Sequence, residues 1–405
     1  MLNIERIKNF IQSANINFLF GSGLSRPYLN TLGDIERWLT ELNTDDNLEN
    51  SIITASIYKE YFDGVIYPNH PDEIDLRNLI DSDYSNVIKN YSAFLHYWNE
   101  IIARRGSNLL NKQINIFTTN IDLFVESAAE TSRIEFNDGF RGVMNPIFDE
   151  GNFQKSYSKT SSHFQHTSEI PVFNLLKLHG SVNWIASATN SSDIKCDITL
   201  RLLKKIEEVL KSIDEKYFIE IESKDTIKTL KKKSQDIISK HKPLTASVYD
   251  DFNKYYNEII MVNPTKRKFR ETVLDLHFYE LMRLYSNALE KENSILFTQG
   301  FSFADEHIAK ITLRAAETNP TLLVIIFCYG NADKEKYEKN LKFENGGSKN
   351  NNIWIVTPEA FVNVNAKDDS HKKDLEKVYQ KFDFATINEV YKWIGKLIPI
   401  KNYGK

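Results

Sequence analysis

The stretch that most constrains this chain is Asn15-Ile-Asn-Phe-Leu-Phe-Gly-Ser-Gly-Leu-Ser25, an apolar run ending in two glycines separated by a serine. Such a run, followed by a polar loop and a helix, reads as a buried first strand. Gly21 and Gly23 let the backbone turn and approach a ligand closely, and Ser22 and Ser25 supply hydroxyl donors. This is how a nucleotide phosphate is commonly received. A Gly-x-Gly after a strand equally marks a plain tight turn, so the weight falls on what the rest of the chain adds.

Three later stretches add to it. In Gln113 to Phe124, Ile114 to Phe117 read as a buried strand with Thr118, Thr119, Asn120 and Asp122 at its carboxyl end, ahead of a helix. In an open parallel sheet the carboxyl ends are where ligands bind. Asn120 or Asp122 could simply cap the helix. Capping explains one such residue and not four polar groups together. In Phe173 to Trp184, His179 ends an apolar run and precedes Gly180 and Ser181. A lone histidine there is commonly structural, but this one leaves its strand at the same rim and can exchange a proton near neutral pH. Ser294 to Ile308 is another strand, running into Gly300-Phe-Ser302, with Asp305 near the next helix start.

Between these landmarks, Ile4, Ile7, Phe10 and Ile11 fall at helical spacing, and 45–110 reads as a mostly helical excursion. Residues 134–148 read as a strand and a turn-rich loop. Gly151 to Ser168, with His163 and His166, and Lys339 to Asn352 read as flexible surface loops. Residues 190–257 read as a helical insertion, its lysine-rich face from Lys228 to Lys242 solvated. Strands at 258–266, Leu322 to Cys328 and Ile353 to Val356 complete about six buried strands alternating with helices. The expected fold is α/β, a Rossmann-like doubly wound parallel sheet with helical insertions and a helical C-terminal segment. The expected organisation is one domain over 1–365, with insertions at about 45–110 and 190–257, then helices over 366–405.

Composition narrows the function. A net charge of −4 argues against a general nucleic-acid binder. Cys196 and Cys328 are the only cysteines, so a four-cysteine zinc site is impossible and no metal site is expected. Two cysteines far apart fit a reducing cytoplasm. The first residues do not form a signal peptide, and the longest apolar run, Leu322 to Tyr329, is far short of the ~20 residues that cross a bilayer. A soluble cytoplasmic protein is expected, without membrane or direct nucleic-acid contacts.

Gly21-Ser-Gly-Leu-Ser25, Thr118-Thr-Asn-Ile-Asp122, His179-Gly180, Val262-Asn-Pro264 and Gly300-Phe-Ser302, in this order, resemble the motifs of the sirtuin-like family over roughly residues 15 to 360. Two departures set the chain apart from sirtuin deacylases. The zinc module is missing, and Arg26-Pro-Tyr-Leu-Asn-Thr-Leu-Gly-Asp34 stands where deacylases continue Gly-Ile-Pro-Asp-Phe-Arg. The pattern is similar to bacterial sirtuin-like NAD hydrolases of antiphage defence, most of all to the subunit that pairs with a HerA-type hexameric ATPase. That resemblance implies a homo-oligomeric NADase that uses NAD as substrate and answers to a partner. It implies that Gly21, Ser22, Gly23 and Ser25 hold the pyrophosphate and that Thr118 belongs to the same cofactor-binding rim. Asn120 would orient the ribose and the attacking water, Asp122 bind the carboxamide and His179 act as general base. Asn263, Gly300 and Ser302 would line the adenosine side. An NAD-dependent deacylase, an ADP-ribosyltransferase and a non-catalytic nucleotide-binding subunit remain the alternatives.

Overall fold

The computed structural model describes residues 2–30, 35–42, 47–74, 82–105, 110–163, 166–187, 193–262, 276–343 and 347–398. Its strands are β1 (Asn15–Phe20), β2 (Gln113–Thr118), β3 (Phe136–Asn137), β4 (Phe140–Arg141), β5 (Ile147–Phe148), β6 (Ser158–Thr160) and β7 (Thr167–Glu169). They continue with β8 (Val172–Lys177), β9 (Gly180–Ala186), β10 (Ile194–Cys196), β11 (Ile259–Met261), β12 (Ser294–Gln299), β13 (Leu323–Phe327) and β14 (Ile353–Val356).

Successive side chains of a strand point to opposite faces, and here both faces are apolar. Ile16, Phe18 and Phe20 of β1 enter one core with Ile295 and Phe297 of β12, while Leu19 and Leu296 enter another. The strands therefore form a sheet covered on both sides, ordered β14-β13-β12-β1-β2-β8-β3 with every pairing parallel. The six principal strands, taken in chain order, lie 3-2-1-4-5-6. This is the Rossmann-like doubly wound arrangement expected, with its switch point between β1 and β12.

One face carries the helices Ile4–Ser13, Asp83–Ala103, Phe124–Ser132 and Phe384–Leu397; the other carries Leu276–Glu290 and Glu306–Thr318. Phe18 anchors the first core, its ring 4.8 Å from Phe94, 4.9 Å from Trp98 and 5.4 Å from Phe297. The first two pairs are edge-to-face and the third is stacked, and such pairs contribute about 0.5–1.5 kcal/mol each beyond burial.

The strand register is marked by asparagines. Asn17, Asn115 and Asn174 are mutual partners in β1, β2 and β8. Asn174 Nδ2 donates to Asn115 Oδ1 at 3.0 Å, Asn115 Nδ2 to Asn17 Oδ1 at 2.9 Å, and Asn17 Nδ2 to the Ile295 carbonyl of β12 at 3.3 Å.

Several sequence expectations are corrected. The strand at Ile259–Met261 is not part of the parallel sheet; it pairs antiparallel with β9 in a second sheet, β11-β9-β10-β5-β4. Gly180 permits this: its φ is +76°, and a Cβ there would lie 2.2 Å from the Ile260 carbonyl oxygen. Residues 134–148 hold three two-residue strands, and the region expected as a flexible loop over 151–168 holds the β6–β7 hairpin. In the expected 339–352 loop, Asn352 is buried, and its Nδ2 donates to the carbonyls of Ala316, Asn319 and Leu322.

The two helical regions share a third core. Ile52, Ile53 and Ile57 of the Leu48–Tyr61 helix meet Leu203, Ile206, Leu230, Phe252 and Tyr256 of the later insertion. Asp83–Ala103 instead turns Val87, Tyr91, Phe94, Leu95 and Trp98, at helical spacing, into the first core. The third core includes Ile121 and Val182, which follow β2 and begin β9, so this helical module seats on the carboxyl rim of the sheet. Among the described residues no helix is long and apolar enough to cross a membrane.

At the switch point the loops leaving β1 and β12 touch backbone to backbone. Gly21 N donates to the Gln299 carbonyl and Gly23 N to the Gly300 carbonyl, at 3.2 and 3.0 Å. A Cβ on Gly21 would lie 2.4 Å from Gly300 O and 2.6 Å from Phe301 Cα. Gly21→Ala is therefore expected to destabilise the fold by about 1–3 kcal/mol, the usual range for overpacking. Urea unfolding measures this, and an unchanged midpoint would refute the contact.

Candidate functional site

The register that aligns Asn17, Asn115 and Asn174 also levels the strand ends. Phe20 pairs with Thr118 and with Gln299, and Thr118 pairs with Lys177. Gly21, Thr119, Leu178 and Gly300 thus leave the sheet at one height. Asn120 and His179 each stand two residues beyond the Thr118–Lys177 pair. Four sequence-distant stretches meet on one rim.

Within that rim the side chains divide. Ser22 and Gly23 are exposed, on a short 3-10 turn that starts at Ser22. Ser25 is buried: its Oγ donates to Asp122 Oδ2 at 2.6 Å and lies 3.1 Å from the Tyr91 hydroxyl. Thr118 Oγ1 donates to the Phe20 carbonyl at 3.4 Å and accepts from Asn120 N at 3.0 Å. Ser25, Thr118 and Asp122 accordingly face inward and knit the first two loops together. Gly300 sits against Leu24 and the Gly21 carbonyl, and Ser302 is half-buried, its carbonyl accepting from Asn340 Nδ2 at 2.8 Å. Asn263 lies outside the described residues.

Asn120 is held differently. Its Nδ2 donates to the Gly21 carbonyl at 3.2 Å and to Ser25 Oγ at 3.3 Å. The Gly21 carbonyl can only accept, so the amide nitrogen must face it and Oδ1 turns the other way. Oδ1 is buried and accepts no hydrogen bond from the described residues. A buried acceptor without a donor costs about 1–3 kcal/mol; the amide oxygens of Asn152, Asn174, Asn183, Asn253 and Asn388 share that condition, and Asn120 stands apart from them by its place on the rim.

Beneath the rim is a buried ionic cluster that sequence reading overlooked. Lys177, 3% exposed, reaches Glu126 Oε1 at 2.7 Å and Ser181 Oγ at 2.9 Å, and also donates to the Asp122 carbonyl. Burial raises the carboxyls of Asp122 and Glu126 above their ordinary range, and the nearby Lys177 charge offsets this only in part. Tyr91 is pushed up as well, by burial and then by the Asp122 charge. The signal for Lys177 was present: a single lysine inside Phe173-Asn-Leu-Leu-Lys-Leu-His, two residues before the histidine.

His179 is half-buried, at the point where the chain passes from β8 in the parallel sheet to β9 in the second sheet. Its carbonyl accepts from Val262 N at 2.8 Å, and its Nε2 lies 3.1 Å from Asp305 Oδ2. Asp305 is the other residue overlooked; the sequence marked it only as lying near a helix start. Burial disfavours its ionisation. The hydrogen bond and charge of His179, with the backbone N–H groups of Ile308 and His307, outweigh that and hold its carboxyl well below the usual range.

Among the described residues no group of three His, Cys, Asp or Glu is placed to hold a metal ion. A groove of about 700 Å³ lined by His96, Tyr97, Arg133, Glu135 and Lys159 lies elsewhere, beside the residues that precede β3 and β8, and contains none of the rim side chains. The fold and rim define a Rossmann-like α/β protein whose polar side chains gather at the switch point. No family model matches the sequence, and no curated protein matches it.

Two tests address this cluster. Lys177→Met leaves Glu126 without its cation and is expected to cost about 3–5 kcal/mol, the range for breaking a buried pair, in chemical denaturation. For Asp122 the folded pKa is raised, so the stability it confers is full below about pH 4 and is lost as pH rises toward the folded value. The urea midpoint of Asp122→Asn should therefore gain on wild type as pH rises above about 4. A pH-independent difference would show that the carboxyl is not raised.

Proposed function

We propose that this chain cleaves the bond between nicotinamide and ribose in NAD, giving nicotinamide and ADP-ribose. The observation that carries the reading is the unpartnered, buried Oδ1 of Asn120. It lies on the same switch-point rim as a half-buried histidine that is paired to a carboxylate. A Rossmann-like switch point takes dinucleotides, and the sequence motifs at this rim resemble those of sirtuin-like NAD hydrolases.

Departure of nicotinamide takes the bonding electron pair and leaves positive charge on the ribose carbon. Water adds there and gives up a proton. The chain has to position the dinucleotide and water and receive that proton. Asn120 fits the positioning role, because its amide nitrogen is anchored and its oxygen is left to accept from a ribose hydroxyl or the water. His179 fits the proton acceptor. Asp122, bonded to Ser25 and 5% exposed, fits the role of fixing the loop better than that of touching the carboxamide. In this reading Gly21, Ser22, Gly23, Gly300 and Ser302 would border the pyrophosphate and adenosine. Depletion of NAD in antiphage defence, by a homo-oligomer acting with a HerA-type ATPase, is the biological role this reading carries.

The test is nicotinamide release from NAD by the purified protein, alone and with a co-expressed HerA-type ATPase. His179→Ala and Asn120→Ala should each lower release by about 10²-fold or more with the circular dichroism spectrum unchanged. Near wild-type release in either folded variant would overturn the assignment. A labelled peptide that loses its acyl group or gains ADP-ribose would assign transfer instead.

A further inference from the structure

Asp305 does more than a helix start requires. As N-cap of the Glu306–Thr318 helix it accepts with Oδ1 from His307 N at 2.9 Å and from Ile308 N at 3.1 Å. One oxygen suffices for that role. The second, Oδ2, is aimed at His179 Nε2, 126 residues away in sequence. The pair joins the two halves of the doubly wound sheet: His179 follows β8 and Asp305 follows β12, with β2 and β1 between them.

An ionised carboxylate only accepts hydrogen bonds, so the hydrogen between the two residues must reside on Nε2. In neutral imidazole this makes Nδ1 the bare acceptor. Nδ1 makes no hydrogen bond to the described residues, and the ring is 23% exposed.

We infer that Asp305 is the positioning residue of this site: it fixes His179 with the hydrogen on Nε2 and leaves Nδ1 to take the proton of the attacking water. This rests on the NAD-cleavage reading above. The oxygen–carbon bond to ribose forms as the nitrogen–carbon bond to nicotinamide breaks. The electron pair leaves with nicotinamide, and the water proton passes to Nδ1. The resulting imidazolium is held against the Asp305 carboxylate.

Asp305→Asn separates this from capping. The backbone N–H groups of His307 and Ile308 demand an oxygen at the Oδ1 position, and asparagine caps as well as aspartate. The amide NH₂ must then face Nε2, which forces the hydrogen onto Nδ1. We expect ¹⁵N spectra of the imidazole to show hydrogen on Nε2 in the wild type and on Nδ1 in Asp305→Asn. Nicotinamide release should fall about 10²- to 10⁴-fold, mostly in kcat, as for other histidines held in the wrong tautomer. Asp305→Ser, which keeps a cap but has nothing to reach Nε2, should lose the tautomer preference and guards against misfolding of the first variant. The inference is overturned by the same tautomer in the wild type and Asp305→Asn. It is also overturned by a reversed tautomer with release within about threefold of wild type. His179→Ala, run alongside, distinguishes the two readings. If it retains release, His179 is not the base and its catalytic assignment falls, and the spectra alone then judge what Asp305 does to His179.

Discussion

A single directional chain of side-chain hydrogen bonds, from Asn174 to Asn115 to Asn17 to the Ile295 carbonyl, ties together the four strands that carry the rim. Parallel strands with apolar side chains on both faces have little to fix their register, because a slipped strand still buries hydrocarbon. The asparagines supply what packing does not. A slip leaves each amide without its partner, at about 1–3 kcal/mol for the buried Asn17 and Asn174. The height at which Gly21, Asn120, His179 and Gly300 emerge follows from that ladder. The rim is therefore a consequence of register, decided at mid-sheet, several residues below the residues that would touch a ligand.

The rim itself is held from two sides. Below it, Lys177 binds the Asp122 carbonyl, Glu126 and Ser181, tying the loop after β2 to the helix it enters and to β9. Above it, the helical module packs on Ile121 and Val182. Burying Lys177 and Asp122 beside a half-buried Glu126 is a costly way to hold a loop, and well-packed apolar residues often do as well. What the cluster provides is directional anchoring of backbone that must not shift. With the loop fixed, the Asn120 amide has one orientation, and its oxygen is committed to none of the described protein donors.

Much of the fold was legible in the sequence. The apolar runs at β1, β2, β8, β12 and β13 are long, and a strand covered on both faces reads as a near-continuous apolar stretch. Asn120, His179 and Gly300 announced themselves by ending such runs. The short strands β4, β5 and β10 did not, since two or three residues carry no periodicity. The strand at Ile259–Met261 was visible, but its sheet was not, because pairing with β9 depends on a chain reversal at Gly180 rather than on its own composition. In the sequence the glycines read as a turn and as room for a ligand. Their neighbours in the structure are each other, across the switch point. Asp305 was hidden by its capping role, which explains one oxygen and conceals the other. The asparagine ladder was readable and went unread: Ile16-Asn17-Phe18, Ile114-Asn115-Ile116 and Phe173-Asn174-Leu175 each place one amide between large apolar residues.

The strand order has a consequence for the chain as it is made. β1 is central, yet one of its two neighbours is β12, which lies more than half the chain away. At ~5–20 residues per second the ribosome takes on the order of tens of seconds to deliver that neighbour. Through that interval the flank of Asn15–Phe20 is an open apolar edge, the kind that recruits foreign strands. The Ile4–Ser13 helix gives incomplete cover, since its own seat on Asn365 and the Phe384–Leu397 helix is translated later still. Recombinant yield of this protein should therefore respond to translation speed and to chaperones that shelter nascent chains more than to the final stability of its fold.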